Sequence, residues 1–93
     1  MKRLDLIFSE RELDAIINAL ESVGVPGYTV MKHATGRGPQ TVVTEDMEFT
    51  GYGANAHVIV FCEQELIEKA KENILSTLNY YGGVAYVSEA TQL

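Results

Sequence analysis

A chain of 93 residues makes one small domain, close to the size at which a single hydrophobic core is only just sufficient. Its apolar fraction of 46% belongs to a globular protein and argues against a disordered one. A net charge of -6 argues against nucleic acid or an anionic membrane as partner, since both need a basic surface, but leaves room for a small anionic ligand held by local positive potential.

The chain opens on a short apolar run, Leu4-Asp5-Leu6-Ile7-Phe8, which reads as a buried strand. Ser9 stands in the position of an N-cap, with Glu12 three residues on to complete a capping box. Leu13, Ile16, Ile17, Leu20 and Val23 then recur at helical spacing, which predicts a helix over 10–23. Gly24 suits the left-handed position that ends a helix, and Pro26 prevents continuation. Tyr28, Thr29, Val30 and Met31 start a second strand. From Gly36 to Gly53 the pattern dissolves into Gly, Pro, Thr and acidic residues, a connection longer than most in compact domains. Within it Thr41-Val42-Val43-Thr44 leaves a hairpin extension open, while Glu45, Asp46 and Glu48 read as a solvated acidic tip.

A third strand follows over 56–62, its near-continuous apolarity pointing to a central position in a sheet. Leu66, Ile67, Ala70, Ile74 and Leu78 make the buried stripe of a second helix from about Gln64. Asn79-Tyr80-Tyr81-Gly82-Gly83 reads as its exit loop and Val84-Ala85-Tyr86-Val87 as the last strand. Two β-α-β halves predict a ferredoxin-like βαββαβ sandwich: a four-stranded antiparallel sheet with two helices on one face. The other face is left to solvent or to partner subunits. So small a fold gains by burying further surface, so an oligomer is expected.

Cys62 is the only cysteine, which rules out an internal disulfide and fits a reducing compartment. On an apolar strand it reads as a buried, inert thiol rather than a nucleophile. No apolar run reaches about 18 residues, and Met1-Lys2-Arg3-Leu4 lacks a signal peptide's apolar core. A soluble cytoplasmic protein is the expectation. No nucleophile motif or Walker loop is present, and His33 and His57 lack metal-ligand spacing. Acylphosphatases share the expected fold, but place an arginine-bearing loop where this chain has only Ser9-Glu10. Neither an enzyme nor a metal site is therefore expected.

The informative elements are two glycine-bearing segments. Gly36-Arg37-Gly38 leaves the second strand with freed backbone amides beside a guanidinium, a combination suited to a phosphate. Taken alone it also fits a plain turn. Gly82-Gly83 enters the last strand, and in this fold the two segments can approach each other within or between subunits. Tyr28, Tyr80 and Tyr81 fit either a flat surface for a base or the filling of an interface.

Gly24-Val25-Pro26-Gly27-Tyr28-Thr29-Val30 resembles the Gly-x-x-Gly-Met/Tyr-Thr-Val segment of PII signalling proteins. Gly36-Arg37-Gly38-Pro39-Gln40 sits where that family has Gly-x-Gly-Arg-Gln, at the base of its T-loop. Asn55-Ala56-His57 through Glu65, and Tyr81-Gly82-Gly83-Val84-Ala85-Tyr86-Val87, extend the resemblance over nearly the whole chain. In detail it is most similar to the PII-like branch associated with bicarbonate transport and carboxysomes.

The resemblance implies a homotrimer with nucleotide clefts between subunits and a T-loop over about 36–54. Gly27, Tyr28 and Thr29 would face an adenine, and Gly36, Arg37, Gly38 and Gln40 the phosphates. Tyr81, Gly82 and Gly83 would stand for the phosphate-binding B-loop. Where the family carries a lysine after the B-loop glycines, this chain has Val84, Ala85 and Tyr86, and Thr91-Gln92-Leu93 supplies none of its paired arginines. No T-loop tyrosine for uridylylation can be assigned, although Tyr52 is nearby. These departures point away from tight triphosphate binding and 2-oxoglutarate sensing, and towards ADP or AMP. Bicarbonate as second ligand, a bicarbonate transporter or carboxysome component as partner, and a carboxysome-associated location are implied by the resemblance alone. The alternative is a trimeric ferredoxin-like structural or metal-linked protein without nucleotide function.

Overall fold

The computed structural model describes residues 1–36 and 54–93. Strand β1 (Lys2–Ser9) passes through a 3-10 turn (Glu10–Glu12) into helix α1 (Leu13–Ser22). Strands β2 (Thr29–Ala34) and β3 (Asn55–Cys62), helix α2 (Gln64–Tyr81) and strand β4 (Val84–Glu89) follow. The strands form one antiparallel sheet in the order β2-β3-β1-β4. This is the ferredoxin-like arrangement that the sequence predicts.

The core follows from the two-residue period of a strand. Leu4, Leu6 and Phe8 of β1 and Ala56, Val58, Val60 and Cys62 of β3 point to one face, and none is more than 4% exposed. Ile16 and Leu20 of α1 and Ile67, Ala70, Ile74 and Leu78 of α2 close over them in one cluster. Among the described residues no polar side chain is buried. Burial, and then the neighbouring Glu63 carboxylate, push the Cys62 thiol above its ordinary 9.0, as fits an inert thiol.

Local details differ from the sequence reading at both helix ends. The capping box does not form: Ser9 Oγ accepts from the Arg11 N–H at 3.4 Å, and Glu12 makes no side-chain cap to α1. The cause is the 3-10 turn, whose tighter winding takes the first helical residues out of α geometry. At the far end, Asn79, Tyr80 and Tyr81 belong to the last turn of α2 instead of an exit loop. The helix runs on until Gly82, whose φ of +94° no side chain favours and whose N–H donates to the Leu78 carbonyl at 2.8 Å. Gly24, at φ +78°, ends α1 as expected. The expected long loop lies almost wholly outside the described residues, as do Thr41–Thr44, Glu45, Asp46, Glu48 and Tyr52.

Candidate functional site

The entry to β2 is where a ligand-sized recess opens. Pro26, Gly27, Tyr28 and Thr29 wall a shallow hollow of about 300 Å³ floored by Ile59 and Phe61 of β3. Pro26 cannot continue α1 and Gly24 turns the chain, so the segment leaves the helix and reaches the sheet's edge beside the end of β3. Thr29 then pairs with Ile59, which sets the register of the hollow. A Cβ added at Gly27 would meet nothing within 4 Å, so the missing side chain keeps the rim open rather than relieving a clash. The Tyr28 hydroxyl donates to Glu21 Oε2 at 3.3 Å. Desolvation, then the Glu21 carboxylate, hold the Tyr28 phenol protonated above its ordinary 10.0. An apolar floor rimmed by the hydroxyls of Tyr28 and Thr29 and by main-chain groups suits a flat group with a hydrogen-bonding edge.

The second set of predicted residues lies elsewhere. Tyr81 ends α2 with its ring edge-to-face on Tyr80, centroids 4.7 Å apart, and both rings are exposed. Gly82 and Gly83 lead into β4, the latter at φ +136°. Gly83 is pressed against β1: an added Cβ would stand 2.9 Å from the Ile7 carbonyl oxygen and 2.7 Å from Leu78 Cδ2. The close approach leaves room only for glycine.

Sheet order decides what one chain can assemble. β2 and β4 are the two edges, separated by β3 and β1, about 14 Å at ordinary strand spacing. Gly27, Tyr28 and Thr29 are brought together with one another, but not with Tyr81, Gly82 and Gly83. Gly36 is exposed just beyond β2. Arg37, Gly38 and Gln40 lie outside the described residues.

Three side-chain groups go unread in the sequence. Ile59 and Phe61 floor the hollow, although the apolar run of β3 gave each alternate residue the same apparent weight. His57 is not isolated: its Nε2 lies 2.8 Å from Asp5 Oδ1 on the neighbouring strand. Glu10 joins the ends of the long connection, its N–H donating to the Ala54 carbonyl at 2.8 Å and its Oε2 accepting from the His33 N–H at 2.8 Å. His33 is held there at φ +61°, beside a register shift in β2 between Met31 and Ala34. Among the described residues no group of three or more His, Cys, Asp or Glu could hold a metal ion, and no helix is long and apolar enough to cross a membrane.

Comparison with known proteins bears on the whole chain. The family model of nitrogen regulatory protein P-II matches residues 1–93. The chain belongs to the P-II family. Its P-II fold is also found in solved structures. CPII, a nitrogen regulatory PII-like protein from Thiomonas intermedia K12 bound to ADP, AMP and bicarbonate, superposes with a TM-score of 0.75 at 23% identity, over 94% of this chain and 86% of that one. The same protein bound to ADP, AMP and acetate gives a TM-score of 0.75 at 24% identity, over 92% and 81%. A putative PII-like signalling protein from Thermus thermophilus gives 0.67 at 19% identity, over 94% and 83%. No curated protein sequence matches the chain. The P-II match covers both glycine-bearing segments and the connection between β2 and β3.

Proposed function

We propose that this P-II family member is a regulator that binds ADP or AMP in clefts shared between subunits of a homotrimer, and that it signals through the connection between β2 and β3. The observation that carries this reading is the split of Gly27, Tyr28 and Thr29 from Tyr81, Gly82 and Gly83 between opposite edges of one sheet. One edge offers an apolar hollow for an adenine, built from Gly27, Tyr28 and Thr29 over Ile59 and Phe61. The other offers the turn of Gly82 and Gly83 beside Tyr81, where the backbone is bare of side chains. A neighbouring copy that sets its β4 edge against the β2 edge of the first makes a single cleft of the two. The ligands of the Thiomonas intermedia K12 protein, ADP, AMP and bicarbonate, support the chemical class.

Gly36, Arg37, Gly38 and Gln40 supply the phosphate end in this reading, with Arg37 as its cation. Each further phosphate adds charge that Val84, Ala85 and Tyr86 do nothing to offset, so ADP or AMP binds at least as well as ATP. The signal requires the nucleotide to bind two states of the connection unequally; equal affinity switches nothing. A role in inorganic-carbon uptake, with bicarbonate as second ligand and a transporter or carboxysome component as partner, belongs to the same reading. The protein then acts by binding and not by catalysis, in the cytoplasm.

Calorimetry on the parent and on Arg37→Ala tests it. The parent binds ADP as a trimer of about 31 kDa, three times the chain's 10.3 kDa. Loss of a charge-assisted fork on phosphate, roughly 1.5–3 kcal/mol, weakens ADP by about 10- to 150-fold while the trimer persists. No heat with ADP, AMP or ATP at millimolar concentration sinks the nucleotide reading. A preference for ATP of about tenfold sinks the low-phosphate part alone.

A further inference from the structure

The face of the sheet turned away from the helices is large, apolar and marked by one charged group. Ile7, Met31, Phe61 and Tyr86 stand on it with 38%, 41%, 46% and 57% of their surface exposed. Among them Asp5 accepts from Arg3 Nε at 2.9 Å through Oδ2 and from Arg3 Nη2 at 3.0 Å through Oδ1, and His57 Nε2 lies 2.8 Å from that same Oδ1. Arg3 also lies over the Phe61 ring, 5.8 Å from its centroid. The side chains of Asp5 and His57 are only 19% and 25% exposed before anything covers them. Arg3 above all, and His57 less so, hold the Asp5 carboxyl below its ordinary 3.8, so it is an anion at neutral pH.

Such a group contributes little to the folding of a single chain, because an ion pair open to water is weakly stabilising. Its consequence appears when the face is covered. Apolar side chains associate without direction and tolerate sliding or inversion. A fixed arginine–carboxylate–histidine group does not, since the guanidinium's remaining N–H donors and the second imidazole nitrogen must then meet partners or be buried unpaired. The face is also locally neutral: its described strand positions carry one cation, Arg3, and one anion, Asp5, on a chain of net charge -6. Copies of so acidic a chain repel one another elsewhere and can meet here. A strongly basic or acidic partner would gain nothing from it.

We propose that Arg3, Asp5 and His57 form a polar key that fixes the orientation in which further copies of this chain cover the open sheet face. The inference rests on the shared-cleft reading, because only one orientation brings the β4 edge of one copy to the β2 edge of the next. It concerns the selection of that orientation and not the ligand.

The test compares the parent, Asp5→Asn and the apolar triple variant Arg3→Met/Asp5→Leu/His57→Phe by light scattering over a dilution series and by native mass spectrometry. Asp5→Asn leaves the circular dichroism of the chain unchanged and raises the concentration at which the assembly dissociates by roughly tenfold or more, since it strands Arg3 at the covered surface. The triple variant associates at least as tightly as the parent but as a mixture of sizes, having kept the attraction and lost the direction. Should Asp5→Asn fail to fold, the triple variant decides alone. Dissociation of Asp5→Asn at the parent's concentration, or a triple variant of one size equal to the parent's, overturns the key while leaving the shared cleft standing. A parent that stays monomeric at every concentration overturns both.

Discussion

The two faces of this sheet are built from the same strands, one residue out of step, and they teach different things. On the helix side the alternate residues of β1 and β3 are sealed, with Leu6, Ala56 and Val58 at 0% exposure. On the other side their immediate neighbours Ile7, Ile59 and Phe61 are equally apolar and uncovered or half-covered. On the helix side no polar side chain is buried among the described residues, and the packing there is decided by shape. The open side carries Arg3, Asp5 and His57. A small fold thus spends one face on its own stability and leaves the other uncovered within one chain. The hollow at Pro26–Thr29 straddles that division, being floored by open-face residues of a strand whose inner residues are core.

Neighbouring truncations should expose the contrast most plainly. Leu6→Ala removes a fully buried side chain from the centre of the core and should destabilise the chain by about 3–5 kcal/mol, the transfer and cavity terms together. Ile7→Ala, one residue on and 38% exposed, should cost a dilute, dissociated chain less than about 1.5 kcal/mol. Urea unfolding at low protein concentration measures both. Equal losses would mean that the open face is already packed within one chain, and the contrast between the faces would collapse.

A smaller but more local effect is expected at Gly83. Its φ of +136° is strained for any side chain, and the added Cβ of Gly83→Ala would meet the Ile7 carbonyl oxygen at 2.9 Å. A backbone oxygen in a strand cannot swing aside as a side chain can. Strain and overpacking together should cost about 2–4 kcal/mol. Gly27→Ala, with nothing within 4 Å of the new methyl, should be close to neutral for folding. Thermal unfolding of the two variants separates a glycine kept for packing from one that leaves a rim open. Similar melting temperatures would count against the close approach of β4 to β1.

The fold was largely legible in the sequence because its signals are local and repeat. The stripe Leu66, Ile67, Ala70, Ile74 and Leu78, the stop at Gly24 and Pro26, and the apolar runs of β1 and β3 each speak within a short stretch of chain. What was missed is non-local or finely graded. The Asp5–His57 contact spans 52 positions and exists only because Asp5 pairs with Ile59 across the ladder, setting His57 diagonally beside it. Helix α2 runs past the end that the sequence predicts, because two tyrosines and an asparagine carry weak helix preference while the helix is held by Leu78 beneath and stopped only by Gly82. The capping box was lost to a 3-10 turn, a difference of winding that composition does not encode. Of the candidate site, Gly27, Tyr28 and Thr29 stand out in the sequence through the family segment they resemble, but Ile59 and Phe61 are hidden by the apolar run around them. That the two halves sit on opposite edges is a property of strand order alone.

The smallest expected effect concerns acid, and it asks how far the open face acts within a single chain. Asp5 has its carboxyl held below the ordinary 3.8, chiefly by the Arg3 guanidinium and then, against the cost of burial, by His57. A depressed folded-state pKa means the native chain binds protons less readily than the unfolded one, so the contribution to stability is fully present above about pH 3.8. It is lost as pH falls through the lower folded value. In a dissociated chain the pair with Arg3 is open to water on one side, so the effect should stay within about 1 kcal/mol. Asp5→Asn, which cannot titrate, should therefore be slightly less stable than the parent at neutral pH, and the difference should shrink below pH 3.8. Chemical unfolding at protein concentrations low enough to prevent association, followed from pH 7 to pH 2.5, measures it. A gap that widens in acid would reverse the sign of the linkage and remove Arg3 as the group that holds Asp5 ionised. A gap of several kcal/mol at neutral pH would show that these three residues serve the chain's own folding, and would leave the two faces differing in exposure but not in purpose.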